Sequence, residues 1–552
     1  MLSRFSLIAS FLVIAYAFLG FHIYQLQLVK GGYYYAKAQS EISASQSSNA
    51  NRGTIYFTDK NGVTLPAALD KPFPYIYAVP ASIVNPAQTA ETFAPILNMT
   101  VAALKKIFSK PNDQYELLVA KPDQDMADKV TNLNMKGVIA DFKAERYYPL
   151  SSVAASVLGY VGPNQSNNGE SGHYGLEGLY NNLLEGSSTN GGAGSDLILT
   201  IDPNIQIEAE KILDDLVSKN GATGGSVIVE DPTTGKILAM GSDPSFDPNN
   251  YGQANISDFL NSNVQGVYEP GSIMKVITMA AGIDSGKISP NDTYDDVGYV
   301  NINKAHLTNY DLTTHGPYGV GTTMTQVIEH SINSGAIYAE NQTGNSIYLS
   351  YLKKFGLDEK TGIDLPGEVS GNLTQLTEKA PQIDWDTAAY GQGIAVTPVE
   401  LVTAISAIAN GGVMMRPYLN ASLDPQEIRR VVTPKSASEA AQMMVDAVDL
   451  AQVANINGYA MAGKTGSAFI PNPAGGGYLN KLTDSYIGFG PVSNPRFVAF
   501  IRLNTIPVTS LAAETVVPAW EQLAQWIVNY YNIPPDRTTN VVIPNCRLLI
   551  CQ

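Results

Sequence analysis

The sequence predicts an α/β (α+β) fold: one antiparallel sheet built from both ends of the C-terminal region, with helices packed on it. An N-terminal transmembrane helix and a mixed α/β region precede it. Three observations carry this expectation. Short β-branched runs stand at both ends of residues 196–535, helical patterning fills the stretch between them, and a long uncharged apolar run opens the chain.

The elements follow in order. After Arg4, residues Phe5 to Val29 carry no formal charge. About 25 residues at a rise of ~1.5 Å can cross a hydrocarbon core of about 30 Å. The run is read as an uncleaved anchor over 5–29 behind a short cytoplasmic tail at 1–4. A signal peptide cut after Ala15-Tyr16-Ala17 is the rival, but the apolar run continues past that point. Residues 30–195 read as a mixed domain with a flexible linker near 186–195, where Gly, Ser, Thr and Asn dominate. Asp202 then caps a helix with Pro203 at its first position. Ser226–Glu230 and Lys236–Met240 read as strands joined by the turn Asp231-Pro232-Thr233-Thr234-Gly235. Thr397-Pro398-Val399-Glu400 is a capping box that opens a helix ending at Gly411-Gly412. Tyr486–Gly490 and Phe497–Leu503 read as paired strands, and a helix from Pro518 to about Tyr531 follows, leaving a tail at 536–552.

Composition excludes several classes of function. The net charge of -16, with no long basic run, argues against a nucleic-acid partner. The five histidines show no metal-ligand spacing and no Cys/His cluster exists, so neither a metal nor a cofactor is expected. Only two cysteines occur in 552 residues, Cys546 and Cys551. Their scarcity fits an extracytoplasmic location; the pair either closes a small disulfide loop or stays as free thiols.

Chemistry concentrates at two places. The stretch Gly458 to Ser467, GYAMAGKTGS, matches the spacing of a phosphate-cradling loop. That loop needs a strand before it and a helix directly after it. Here helical patterning over Ala440–Val453 precedes, and Pro471, Pro473 and three glycines follow, so the phosphate reading fails. Tyr459 to Gly466 reads instead as an edge strand. The second place is Glu269-Pro270-Gly271-Ser272-Ile273-Met274-Lys275. Pro270-Gly271 breaks the chain, and Ser272 opens an apolar helix with Lys275 three residues on, on the same face. A serine there can act as nucleophile with Lys275 as its base, provided that burial and a second cation depress the lysine. A lone S-x-x-K carries no weight: Ser350-Tyr351-Leu352-Lys353 is another, and Lys360-Thr361-Gly362 repeats the KTG. Both are read as helix end and turn.

Order separates signal from coincidence. Ser272-x-x-Lys275 is followed by Ser331-Ile332-Asn333, in a region of helical patterning, and then by Lys464-Thr465-Gly466. In this the chain resembles the penicillin-recognising serine transpeptidases. Pro366-Gly367-Glu368 and Tyr390–Pro398 extend the likeness, as does Val229–Met240. Further upstream, Arg52-Gly53-Thr54-Ile55, Arg146-Tyr147-Tyr148-Pro149 and Gly175-Leu176-Glu177-Gly178 resemble the pedestal motifs of class B penicillin-binding proteins. Asp59 stands two positions further from Ile55 than in the family pattern.

The resemblance implies roles at matching positions. Ser272 would attack the carbonyl between two D-alanines of a peptidoglycan stem peptide, and Lys275 would take its proton. Ser331 would relay a proton to the departing D-alanine, and Asn333 would hold the donor amide. Lys464 would supply positive charge, Thr465 and Ser467 would bind the terminal carboxylate, and Gly466 would let substrate approach the strand. The Ser467 N–H would complete the oxyanion site. A β-lactam would acylate Ser272. About 170 residues separate anchor from catalytic domain, without the acidic pattern of a glycan polymerase domain. That favours class B, which implies a single-pass bacterial cytoplasmic-membrane protein with an extracytoplasmic catalytic domain. It also implies a separate SEDS-type polymerase and other divisome proteins as partners. The Tyr390–Pro398 stretch and Ser-x-Asn lean toward the septal type. A D,D-carboxypeptidase or β-lactamase is the alternative, against which the long pedestal argues. A β-lactam sensor or scaffold is another: a sensor would want several spans, and intact Ser272, Lys275 and Lys464 argue against a dead scaffold.

Overall fold

The computed structural model describes residues 52–164, 169–185, 193–303, 305–508 and 511–537. The anchor expected at 5–29, the tail at 1–4, residues 186–192 of the linker, and both cysteines lie outside the described residues. Among the described residues, no helix is long and apolar enough to cross a membrane.

The chain divides into two compact units. Among the described residues the first takes in 52–54, Ala68–Pro149 and those within 182–196; the second takes in Ile55–Ala67, those within 150–181 and those from 197 to 537. The first unit is built on β1 (Thr64–Ala78), followed by α1 (Pro86–Leu97), α2 (Val101–Phe108), β2 (Glu116–Val119), α3 (Gln124–Leu133) and β3 (Val138–Tyr147). β1 pairs antiparallel with β3 from Leu69↔Tyr147 to Ala78↔Val138, and with β2 only at its end. Pro72 and Pro74, which have no N–H to donate, therefore fall where β2 does not pair. Alternation puts Ile76 and Ala78 on one face, where they meet Phe93, Leu97, Leu104, Phe108 and Val130 from the three helices. Arg146 ties two sequence motifs together: its Nη1 donates to the Gly53 carbonyl at 2.9 Å and pairs with Asp70 at 3.2 Å.

The second unit holds the expected sheet. α4 (Pro203–Asn220) leads into β4 (Gly224–Glu230) and β5 (Ile237–Asp243). α5 (Met274–Asp284), α6 (Met324–Glu329), α7 (Asn333–Thr343), α8 (Asn345–Lys354), α9 (Pro398–Ala409) and α10 (Pro434–Ala451) form the helical block. β6 (Ala462–Pro471), β7 (Tyr478–Gly490), β8 (Phe497–Pro507) and α11 (Val516–Tyr531) close the fold. The strand order is β6-β7-β8-β4-β5, antiparallel throughout, so strands from both ends of the region meet at β8 and β4. The Asp202 cap forms as expected, its carboxylate accepting from the Asn204 N–H. The Thr397–Glu400 capping box is present at α9.

Both faces of this sheet are covered. α4 and α11 pack on one face through Ile205, Leu213, Leu523 and Ile527 against Val227, Val229 and Ile501. Trp520 anchors that layer, fully buried and donating its indole N–H to the Ala499 carbonyl at 2.9 Å. Truncating it to alanine would cost about 3–5 kcal/mol through lost transfer energy and a cavity. Within the helical block α5 is buried along its length, from Met274 to Ile283. A helix apolar on every side must lie inside the fold, and this burial fixes the segment that carries Ser272 and Lys275.

Candidate active site

Ser272 lies in a single 3-10 turn, Gly271–Ile273, which runs directly into α5. Gly271 has φ +56°, and a Cβ there would stand 2.6 Å from the Ser467 carbonyl oxygen. Only glycine allows the serine turn to sit this close to β6. Its N–H donates to the Gly391 carbonyl at 3.1 Å, so the Tyr390–Pro398 stretch braces the turn.

Lys275 follows on the first turn of α5 and is 0% exposed. Its ammonium nitrogen meets three acceptors: the Ser331 carbonyl at 2.5 Å, the Ser331 hydroxyl at 3.2 Å and Asn333 Oδ1 at 2.7 Å. Burial, and then the charge of Lys464, hold it well below the ordinary lysine range, while the Asp311 carboxylate opposes them.

Ser331 and Asn333 do not sit within one helix, contrary to the sequence expectation. Asn333 opens α7, and Ser331 occupies the break after α6 with φ +56°. A non-glycine residue in the left-handed region costs about 1–3 kcal/mol and persists where its surroundings fix it. Here it turns both the hydroxyl and the carbonyl of one residue onto Lys275. Asn333 in turn donates its amide to the Thr308 carbonyl at 2.9 Å, which fixes Oδ1 toward the lysine.

Lys464 approaches from the sheet. Its Nζ donates to Ser331 Oγ at 3.0 Å and to Thr465 Oγ1 at 3.2 Å. Burial alone lowers it to about 7. Two buried amines therefore converge on one hydroxyl oxygen, and one proton between them is favoured over two.

The strand that carries Lys464 differs from the reading of Tyr459 to Gly466. It begins at Ala462 and continues to Pro471. Tyr459 and Ala460 are held instead by the C-terminal segment, through the Ile533 carbonyl at 2.6 Å and Asp536 Oδ1 at 2.8 Å. Beyond Gly466, pairing with β7 persists as far as Pro471↔Tyr478, and the proline- and glycine-rich residues form the hairpin tip. β6 is an edge strand. At Gly466 a Cβ would stand 2.6 Å from the Pro270 carbonyl, which explains glycine where strand and serine turn meet. Thr465 is half-buried and Ser467 exposed on the edge. The Ser467 hydroxyl donates to Asp484 Oδ1 at 2.5 Å.

Ser272, Lys275, Ser331, Asn333 and Lys464–Ser467 thus lie around one centre, contributed by α5, the α6–α7 break and β6. The second S-x-x-K and second KTG are elsewhere engaged. Ser350 Oγ donates to the Ile347 carbonyl at 2.6 Å within α8, and the Thr361 hydroxyl donates to Glu368 at 2.6 Å in the irregular segment after that helix. Two groups escaped the sequence reading. Asp311 influences Lys275 but lies in the long segment between the motifs. Asp484 lies across a hairpin whose register no composition rule fixes.

Comparison with known proteins identifies the family. The penicillin-binding protein transpeptidase domain matches residues 225–516, and the penicillin-binding protein dimerisation domain matches residues 47–191. Stage V sporulation protein D of Bacillus subtilis (strain 168) is 29% identical, over 91% of this chain and 81% of its own length. The peptidoglycan D,D-transpeptidase FtsI of Escherichia coli (strain K12) is 26% identical, over 97% and 93%. Among solved structures, penicillin-binding protein 2X from Streptococcus thermophilus superposes with a TM-score of 0.72 at 21% identity, over 87% of this chain and 79% of that one; this likeness speaks for the fold. The chain belongs to the penicillin-binding protein transpeptidase family of serine acyl-transfer enzymes, in its class B form.

Proposed function

We propose that this protein is a membrane-anchored D,D-transpeptidase that crosslinks peptidoglycan stem peptides through an acyl-enzyme on Ser272 and is acylated there by β-lactams. The observation that carries the reading is the convergence of Lys275 and Lys464 on the Ser331 hydroxyl, with Asn333 Oδ1 accepting from Lys275, which stands three residues after Ser272. A neutral Lys275 accepts the Ser272 proton as the serine oxygen bonds to the penultimate D-alanine carbonyl. The Gly271–Ile273 turn and the Ser467 N–H on the edge strand offer amide donors to the oxyanion. As the tetrahedral intermediate collapses, the C–N bond breaks. The leaving D-alanine amine takes a proton through Ser331, whose hydroxyl is replenished from the lysine pair. Thr465 and Ser467 hold the terminal carboxylate, and Lys464 supplies positive charge beside them. An acceptor amine then attacks the ester, with Lys275 removing its proton, and Ser272 is restored.

The same proposal includes an anchor over 5–29, a pedestal over 30–195 and a catalytic domain over 196–535 facing away from the cytoplasm. A SEDS-type polymerase and septal partners complete it. Two tests separate its parts. Full-length protein given a D-Ala-D-Ala stem peptide and an amine acceptor should yield more crosslinked than hydrolysed product; hydrolysis alone would make it a carboxypeptidase. A fluorescent fusion should gather at division sites; an even distribution along the lateral wall would remove the septal role.

A further inference from the structure

Asp484 is an ionisable group inside the sheet that the proposed mechanism does not use. It pairs in register with Ser467, across β6 and β7, and is 0% exposed. Its two oxygens each accept from one hydroxyl: Oδ1 from Ser467 at 2.5 Å, and Oδ2 from Thr515 at 3.0 Å. Thr515 Oγ1 also lies 3.1 Å from the Leu511 carbonyl. The threonine can therefore donate to an ionised Asp484. When Asp484 is protonated, it can instead accept from the acid and pass its own hydrogen to Leu511. Both protonation states are accommodated without moving the backbone.

Among the described residues no basic side chain pairs with Asp484. Leu503 faces Asp484 from β8, while Arg502 belongs to the opposite face of the sheet with Ser485 and packs over the Tyr268 ring. The other charged residues nearby in the fold are Lys464 on β6, which bonds to Ser331, Lys481 on β7, and Glu514 before Thr515. Asp484 makes no ion pair with any of them among the described residues. Burial raises its carboxyl to about 6.

We infer that Asp484 is a positioning residue for Ser467 and sets the site's preference for ligands bearing a carboxylate. The inference rests on the proposed function, which puts that carboxylate against Thr465 and Ser467. With Asp484 ionised, the Ser467 hydrogen points down into the sheet, and its oxygen offers only lone pairs to the cleft. A carboxylate arriving there meets an acceptor where a donor would hold it. Protonating Asp484 weakens a charge-assisted bond to a neutral one and frees the Ser467 O–H to turn toward the ligand.

The test compares acylation rates of the full-length protein by a penicillin and by its methyl ester between pH 5 and pH 8. The penicillin stays ionised throughout, and the ester has no carboxylate to place. Effects of pH on Lys275 enter both rates and cancel in their acid-to-ester ratio. Lys464, lowered to about 7, carries charge toward the carboxylate, so its own deprotonation lowers the ratio in wild type and variants alike, and the contribution of Asp484 is the difference between them. In the wild type that contribution should be a fall of about three- to tenfold with rising pH, the worth of one hydrogen bond, with its midpoint near pH 6. In Asp484→Ala the step near pH 6 should be absent, leaving only the fall near 7. Asp484→Asn, which keeps the shape, should lack the same step. A wild-type ratio without that step, or variants that keep it, would overturn the inference, as would acid and ester rates falling together in both variants. Failure of the underlying function reads differently: the wild type would then not be acylated on Ser272 at all.

Discussion

Replacing Lys464 by methionine tests the electrostatics of the site. Lys275 and Lys464 touch the same oxygen, at 3.2 and 3.0 Å, so their charges lie within about 6 Å of each other. At an effective dielectric of about 20, two unit charges at that distance repel by about 3 kcal/mol. That repulsion, added to burial, lowers Lys275, which on the proposed mechanism favours its proton-accepting form. Methionine fills the space without the charge. At a pH on the acid side of the profile, the neutral fraction of Lys275 should then fall by a factor of up to about 100. The sign follows from the state required: acylation needs neutral Lys275, so a rise in its pKa moves the acid limb of the rate profile to higher pH. The assay is the second-order rate of labelling by a fluorescent penicillin from pH 5 to pH 9. Lys464→Arg, which keeps the charge, should leave the limb near its original place. If the limb in Lys464→Met coincides with the wild type, Lys464 does not tune Lys275 and the electrostatic argument is wrong.

Other perturbations have defined outcomes. Asp311→Asn removes the carboxylate that opposes the lowering of Lys275, so its acid limb should move to lower pH; no movement would remove Asp311 from the site's electrostatics. Gly271→Ala puts a methyl 2.6 Å from the Ser467 carbonyl at φ +56°. It should cost ~1–3 kcal/mol and slow labelling, measured by thermal unfolding and by the same rate assay; a variant with wild-type rate and stability would contradict the close approach. Glu230 is 0% exposed, and burial raises its carboxyl to about 8. Its neutral form favours the folded state in full below the unfolded-state pKa of about 4.3, and that contribution is lost as pH rises through about 8. Glu230→Gln should therefore raise the urea midpoint relative to wild type at pH 8.5 more than at pH 5, and an equal difference at both would refute it.

The sheet was legible because its strands are short apolar runs bounded by turns, and because Asp202 and Thr397 are caps whose partners lie within three residues. Local chemistry of this kind survives folding unchanged. Ser272, Lys275 and the KTG were legible through their order, and the duplicates at Ser350 and Lys360 were dismissed on local grounds that their hydrogen bonds support. What the sequence could not convey is geometry between distant segments. Ser331 in a left-handed conformation follows from two helices that must change direction around Lys275, which is a tertiary demand. The start of β6 at Ala462 depends on contacts of Tyr459 and Ala460 with residues more than 70 positions later. Asp484 is another case: a lone aspartate in an apolar strand becomes meaningful only once the hairpin register puts it opposite Ser467.

The central claim is that Ser272 is the nucleophile. Its most direct test is to react the full-length protein with a penicillin, digest it and locate the acyl group by mass spectrometry. The account predicts a single adduct on the peptide bearing Ser272, absent in Ser272→Ala. An adduct on Ser331 or Ser350, or labelling that survives in Ser272→Ala, would contradict it.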